Sequence, residues 1–232
     1  TQTLDAFGPR PPGSVWPPEL VGTLAELRLH PAELGGDELL PLIPDLASID
    51  LGQDLRPFRL AEVLARDFST QAVATAALVN EPWQFAAVFF PGLDTAGHYF
   101  MPFHPPRMPN VSEREFERYR GVMSGLYRLY DQMLGVLVGL AGDDAHVMIV
   151  SDHGFQSGGR RPAWLNSDRA PDVHAAEWHR SLGVFALKGP GVVADQRVYG
   201  ATLLDVAPTA LALLGLPADM EMPGRVLSQA FP

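Results

Sequence analysis

Residues 83–98 read WQFAAVFFPGLDTAGH, and this stretch decides how the rest of the chain is interpreted. Its first part, residues 83–90, is a continuous apolar run of strand length, which is typical of a strand buried on both faces of a parallel sheet. Asp94 follows shortly afterwards, and His98 comes four positions later. If a helix begins near Asp94, positions four apart lie on one face, so these two side chains could hold one cation together.

The same arrangement occurs again further along the chain. Residues 146–150, HVMIV, form a second apolar run, and Asp152, His153 and Gly154 follow it closely. Functional groups in open α/β sheets gather beyond the carboxyl ends of the strands, so we expect both polar clusters at one sheet edge. A sharp turn at Gly154 would let Asp152 and His153 reach the same metal; alternatively, each serves a different one.

Helical patterns fill most of the remaining chain. The longest early helix is predicted over residues 58–79, a long helix is predicted after a capping box of Ser112 and Glu115, and Asp205 can cap a last helix over residues 206–214. A third apolar run lies at residues 184–187. This order of elements predicts an α/β fold, specifically an α/β/α sandwich with a mostly parallel sheet.

The domain organisation expected is simple. Residues 1–19 are dense in Pro and Gly and are predicted to form an irregular arm or linker, followed by one domain over residues 20–232. The chain has no cysteine, so any metal must bind to His and carboxylates. The formal charge of −10 argues against a nucleic-acid-binding surface, and no apolar run reaches the length of a membrane span.

Each polar cluster alone has an ordinary interpretation. Asp94 could cap a helix that happens to contain His98, and Asp-His-Gly is a common turn sequence. The occurrence of both clusters after successive apolar runs favours a metal site. Zinc is the natural ion for imidazole and carboxylate ligands, although Mn²⁺ or another divalent ion would also fit.

Other polar residues are weighed separately. Arg160, Arg161 and Arg180 could bind the anionic part of a substrate, but solvation at the surface is the favoured role for each. His104 is interpreted as a structural or substrate-side residue. Asp131 is predicted to be a buried structural carboxylate.

Four segments together carry a family resemblance. They are VFFPGLDTAGHYF, VMIVSDHGF, WHRSLGVFALKGPG, and LLDVAPTALALLGLP with a later PGRVL. In this order, over about residues 85–231, they resemble the type I phosphodiesterase/nucleotide pyrophosphatase family of the alkaline phosphatase superfamily. The resemblance implies an alkaline-phosphatase-like fold and a small-molecule phosphate ester substrate, either a phosphodiester or a nucleotide pyrophosphate. It also implies two divalent metal ions, with zinc favoured.

The resemblance also implies a ligand set. Asp94, His98 and His179 match the ligands of one ion, and Asp152 and His153 match two ligands of the other. His174 is the main rival of His179. The family's nucleophilic Thr or Ser and one further Asp have no match before residue 80, so the chain is expected to be the incomplete C-terminal portion of a catalytic domain, inactive alone.

The reaction expected from the resemblance uses a covalent phospho-enzyme on a Thr or Ser outside this chain, with the missing N-terminal portion as a partner. One alternative is hydrolysis of phosphomonoesters, phosphonates or sulfate esters on the same fold. The other alternative is a non-catalytic fragment that binds metal or a partner.

Overall fold

The computed structural model of the protein describes residues 12–163 and 175–232. In these ranges the α-helices are α1 (Val21–Glu26), α2 (Gly36–Leu39), α3 (Arg56–Asn80), α4 (Gly92–Phe100), α5 (Glu113–Tyr119), α6 (Val122–Ala141) and α7 (Val206–Leu213). The strands are β1 (Val147–Ser151), β2 (Gly154–Phe155), β3 (His179–Arg180) and β4 (Val184–Lys188). Short 3₁₀ helices lie at Pro18–Leu20, Pro31–Glu33, Leu46–Ser48, Met101–Phe103, Gly158–Arg160, Ala175–Trp178, Leu203–Asp205 and Ser228–Ala230.

Helix α3 organises the hydrophobic core. Pro57 occupies its first turn, where a missing N–H costs nothing. Leu60 and Leu64, four positions apart, are almost completely buried on one face, and Val63 extends that face. Helix α3 packs against both α4 and α6. Burial of each large side chain contributes about 1.5–3 kcal/mol, so this face anchors α4 firmly.

A charged network joins the start of α3 to α5. Arg56 Nε lies 2.7 Å from Asp54 Oδ1, and Arg56 Nη2 lies 3.0 Å from Glu115 Oε1. The hydroxyl of Tyr119 donates to Asp54 Oδ2 at 2.6 Å. Burial raises the pKa of Asp54, but the hydrogen bonds from Arg56 and Tyr119 outweigh it and leave that pKa below its ordinary value.

The predicted helices need three corrections. Ser112 caps its helix as expected, accepting from the Glu115 N–H at 3.2 Å, but this helix ends at Tyr119 and α6 begins separately at Val122. The Asp205 side chain accepts from the N–H groups of Thr202 and Arg225, both at 2.8 Å, and does not cap α7. Asp131 is exposed, so its prediction as a buried carboxylate is wrong.

The sheet also differs from the prediction. Residues 147–151 and 184–188 are strands, as expected, but β1 and β4 pair antiparallel, with Val147 opposite Lys188 and Ser151 opposite Val184. Strands β2 and β3 are also antiparallel. A mostly parallel sheet is therefore not confirmed in the part of the chain that the structure describes.

Residues 83–90, predicted to be a buried strand, belong to no strand in the structure. Residues 81–89 are exposed, and Phe89 reaches 80%. Apolar composition favours burial, but a strand also needs a neighbour to pair with its backbone groups. No backbone hydrogen bond of the described chain involves residues 82–90.

The division into an arm and one domain stays a prediction, since residues 1–11 lie outside the described ranges. None of the helices that the structure describes is long and apolar enough to cross a membrane.

Candidate metal centre

Helix α4 supplies the first two polar side chains of the site. Asp94 lies in its first turn and His98 in its last, so both face the same side, as their spacing predicts. His98 is buried at 5% exposure, and its Nε2 lies 3.5 Å from Asp94 Oδ1.

The β2–β3 ladder supplies two more imidazoles. His179 is paired with Phe155 across the ladder, and His153 immediately precedes β2. Ser151 Oγ donates to the carbonyl of His153 at 2.7 Å, and Gln156 Nε2 donates to the carbonyl of His179 at 3.1 Å. These bonds hold the backbone of both histidines in place.

Three imidazoles converge on one oxygen of Asp94. Asp94 Oδ1 lies 3.5 Å from Nε2 of His98, 3.5 Å from Nε2 of His153 and 3.3 Å from Nε2 of His179. The Nε2 atoms of His98 and His179 are 3.0 Å apart. Ligands about 2.0–2.1 Å from a tetrahedral zinc ion lie about 3.4 Å from one another, so these pairs of side chains lie at the spacing of ligands that share an ion.

The surroundings of the Asp94 carboxylate also favour binding of a cation. Its Oδ1 is buried and accepts no hydrogen bond from the residues that the structure describes. A buried carboxylate oxygen without a donor is costly unless something positive binds it. Asp94, His153 and His179 each offer one ligand atom, and these three atoms lie close enough together to hold a metal ion.

The pKa shifts of Asp94 and His179 both favour the forms that bind metals. Burial raises the pKa of Asp94, but His98 and the charges of His179 and His153 outweigh it and lower that pKa below its ordinary value. Burial, followed by the neighbouring His153, lowers the pKa of His179. An ionised carboxylate and a neutral imidazole are the forms that bind metals.

Phe155 packs against the imidazoles and was missed by the sequence reasoning. Its ring centroid lies 5.1 Å from that of His98, 5.2 Å from that of His179 and 6.0 Å from that of His153. Gly97 makes room for it, because a Cβ there would lie 2.6 Å from the Phe155 ring. The position of Phe155 directly after Asp-His-Gly was the available signal.

Asp152 stands apart from this cluster. Its side chain is 67% exposed, and its Oδ1 lies 3.9 Å from His153 Nε2. It lines an open cleft of about 1340 Å³ that also runs along β4. The structure thus brings together Asp94, His98, His153 and His179, and it leaves Asp152 at the margin. His174 lies outside the described residues, so the assignment of ligands to particular ions stays a prediction.

Arg161 is not available to a substrate, since its side chain is buried. Its guanidinium donates to the carbonyls of Gly158, Met101 and Pro102 at 3.0, 3.1 and 3.2 Å, and also to those of His104 and Pro106. The prediction that Arg161 is solvated at the surface is therefore wrong. Its guanidinium connects the segment after α4 to residues 158–161. Arg160 and Arg180 are exposed, as expected.

The comparisons with known proteins place the chain in a family. A model of the type I phosphodiesterase / nucleotide pyrophosphatase family matches residues 42–203 of the 232 residues, a range that contains all five candidate ligands. Searches of curated proteins and of solved structures found no significant match.

Proposed function

Because the chain belongs to the type I phosphodiesterase/nucleotide pyrophosphatase family, we propose that the protein is a divalent-metal-dependent hydrolase of phosphodiesters or nucleotide pyrophosphates. Membership implies phosphoric ester hydrolysis on an alkaline-phosphatase-like α/β fold. The observation that carries the metal-dependent part is the convergence of three imidazole nitrogens on the unbonded Asp94 Oδ1.

The proposed ligands divide between two ions. Asp94, His98 and His179 would hold one, while His153 and Asp152 would contribute to the other, which also needs ligands from outside this cluster. Imidazole nitrogen and carboxylate oxygen suit Zn²⁺, and the chain has no thiolate to compete. When bound, such ions polarise phosphoryl oxygens and stabilise the attacking and leaving oxygens of an in-line displacement.

The chain's own residues prepare this site in two ways. Asp94 supplies negative charge among three imidazoles, and the ring of Phe155 packs against those imidazoles. With a formal protein charge of −10, attraction of an anionic ester depends on positive charge at the site itself.

For the attacking group we propose a Thr or Ser from outside these 232 residues. The hydroxyls that adjoin candidate ligands in sequence bond to nearby carbonyls: Thr95 donates to that of Pro91 at 3.1 Å, and Ser151 donates to that of His153 at 2.7 Å. Attack by the external hydroxyl oxygen on phosphorus would break the bond to the leaving group. Water would then restore the hydroxyl and release the phosphorylated product.

The test uses the natural full-length protein with chromogenic phosphodiester, phosphomonoester and sulfate substrates. We expect preferential hydrolysis of the diester, loss of activity after chelation, and recovery with Zn²⁺ or Mn²⁺. His98→Ala should abolish recovery, whereas the control His146→Gln, at an exposed position whose ring contacts the carbonyl of Pro190, should recover fully.

Three results would overturn the proposal in different ways. Preferential sulfate turnover would assign a sulfate ester hydrolase, and activity that survives complete chelation would remove the metal from the mechanism. Metal binding without turnover of any ester would support a non-catalytic metal-binding protein.

A further inference from the structure

We propose that Asp67, together with Tyr130, is a positioning residue for the metal ligands, because it caps the N-terminus of α4 from a neighbouring helix. This inference rests on the proposed function, since it concerns the helix that carries Asp94 and His98. It assigns a role to two residues that lie outside the ligand cluster.

Asp67 is a carboxylate in the helical core. It lies in α3 and is 1% exposed. Removing a carboxylate from water is expensive, so its remaining partners must be good ones. The Gly92 N–H donates to Asp67 Oδ2 at 3.0 Å, and the Tyr130 hydroxyl makes a short hydrogen bond to the same oxygen. Arg66 Nε lies further away, 3.4 Å from Oδ1.

The position of these bonds gives them their meaning. Gly92 is the first residue of α4, and Pro91 before it makes no side-chain cap. The first N–H groups of a helix have no partner within the helix. Asp67 therefore does from α3 what a capping side chain does locally, and it places negative charge at the positive end of the α4 dipole.

The cap lies close to the ligands along the helix. Asp94 is two residues after Gly92, and His98 lies one turn further on the same side. A second contact supports the same turn, since Arg66 Nη2 donates to Thr95 Oγ1 at 3.1 Å. These contacts fix both the depth and the rotation of a helix only nine residues long.

The exact position of α4 matters because the other two imidazoles, those of His153 and His179, do not belong to this helix. His153 lies between β1 and β2 and His179 lies in β3, so the two halves of the ligand set come from different elements and meet through tertiary packing. Metal sites tolerate displacements of about 0.5 Å or less before ligands are lost. A small shift of α4 would move Asp94 and His98 away from the other two imidazoles.

The packing around Gly92 leaves no room for a side chain at the start of α4. A Cβ at Gly92 would lie 1.9 Å from Tyr130 Oη and 2.3 Å from Asp67 Oδ2. Backbone and cap are thus in direct contact, with no room for a side chain between them.

The test measures the metal site itself. Co²⁺ titrated into the full chain reports both affinity and ligand geometry through its visible absorption. We expect Asp67→Asn, which keeps the shape and removes the charge, to weaken Co²⁺ binding by about tenfold and to change the spectrum, as for other groups that orient ligands. Tyr130→Phe should give a smaller change in the same direction.

Two controls separate positioning from general stability. Asp131→Asn, exposed on the same helix as Tyr130, should leave Co²⁺ binding unchanged. Ile43→Val, at a fully buried core position, should lower the denaturation midpoint but preserve the Co²⁺ spectrum.

The kcat for the phosphodiester should fall in Asp67→Asn with little change in KM.

The outcomes are distinguishable from failure of the proposed function. If the unmodified protein binds no Co²⁺, the metal-site proposal itself is wrong. If it binds Co²⁺ and Asp67→Asn shows the same affinity and spectrum, the positioning role is refuted. If Asp67→Asn does not fold, the Tyr130→Phe variant provides the test. An unchanged Co²⁺ spectrum in Tyr130→Phe would then overturn the inference.

Discussion

Gly92→Ala is the substitution whose effect the structure defines most directly. The new Cβ would lie 1.9 Å from Tyr130 Oη, 2.3 Å from Asp67 Oδ2 and 2.9 Å from Val63 Cγ1. Separations below 3.0 Å do not persist, so Asp67 and Tyr130 must move by about 1 Å. We expect this to break both hydrogen bonds to Asp67, the one from the Gly92 N–H and the one from the Tyr130 hydroxyl.

The magnitude follows from those bonds. Two buried hydrogen bonds to a charged group are worth about 1.5–3 kcal/mol each. The better helix propensity of Ala returns at most about 1 kcal/mol. We therefore expect a loss of about 2–5 kcal/mol in the free energy of unfolding, which would be a large part of the total stability of an ordinary domain.

Urea denaturation followed by circular dichroism measures this loss. Gly135→Ala is the matched control, because Gly135 lies exposed in α6 and a Cβ there meets nothing within 4 Å. That control should raise stability by up to about 1 kcal/mol. The reasoning is refuted if Gly92→Ala unfolds within about 0.5 kcal/mol of the unmodified protein.

Three further predictions concern the surroundings of the site. Because the pKa of Asp54 is lowered in the folded protein, its ion pair stabilises above the unfolded pKa and is lost as the pH falls through the folded pKa. Asp54→Asn should therefore cost about 1.5–3 kcal/mol at neutral pH and much less in acid, by urea denaturation at both; an equal loss at both would contradict it. Arg161→Met should lower the free energy of unfolding by more than about 3 kcal/mol, since it leaves several carbonyls without a donor, and a neutral result would contradict the clamp. Phe155→Leu should weaken Zn²⁺ binding about tenfold by calorimetry, and unchanged affinity would show that the ring does not orient the histidines.

Local patterns could be predicted from the sequence because they depend on neighbours in the chain. The pairing of Asp94 with His98 needs only helical spacing, and the cap at Ser112 needs only a three-residue interval. The convergence of His153 and His179 on the same oxygen depends on the β2–β3 register, which no local pattern contains.

Two errors have physical causes. The apolar character of residues 83–90 indicates a preference for burial but cannot supply a partner strand. The sequence analysis did not single out Asp67, although its position gave a signal. Asp67 lies three residues after Leu64 and four after Val63, which places it on the buried face of α3. A carboxylate on that face needs a donor, and the helix start at Gly92 provides one.

The most direct test of the metal site is a calorimetric titration of the full chain with Zn²⁺, comparing the unmodified protein with Asp94→Ala. We predict binding of at least one ion per chain. Loss of an orienting group alone costs about tenfold or more in affinity, so loss of this ligand should cost at least as much. His146→Gln should bind Zn²⁺ normally. Absence of binding, or equal affinity in Asp94→Ala, would contradict the assignment of Asp94, His98, His153 and His179 as a metal centre.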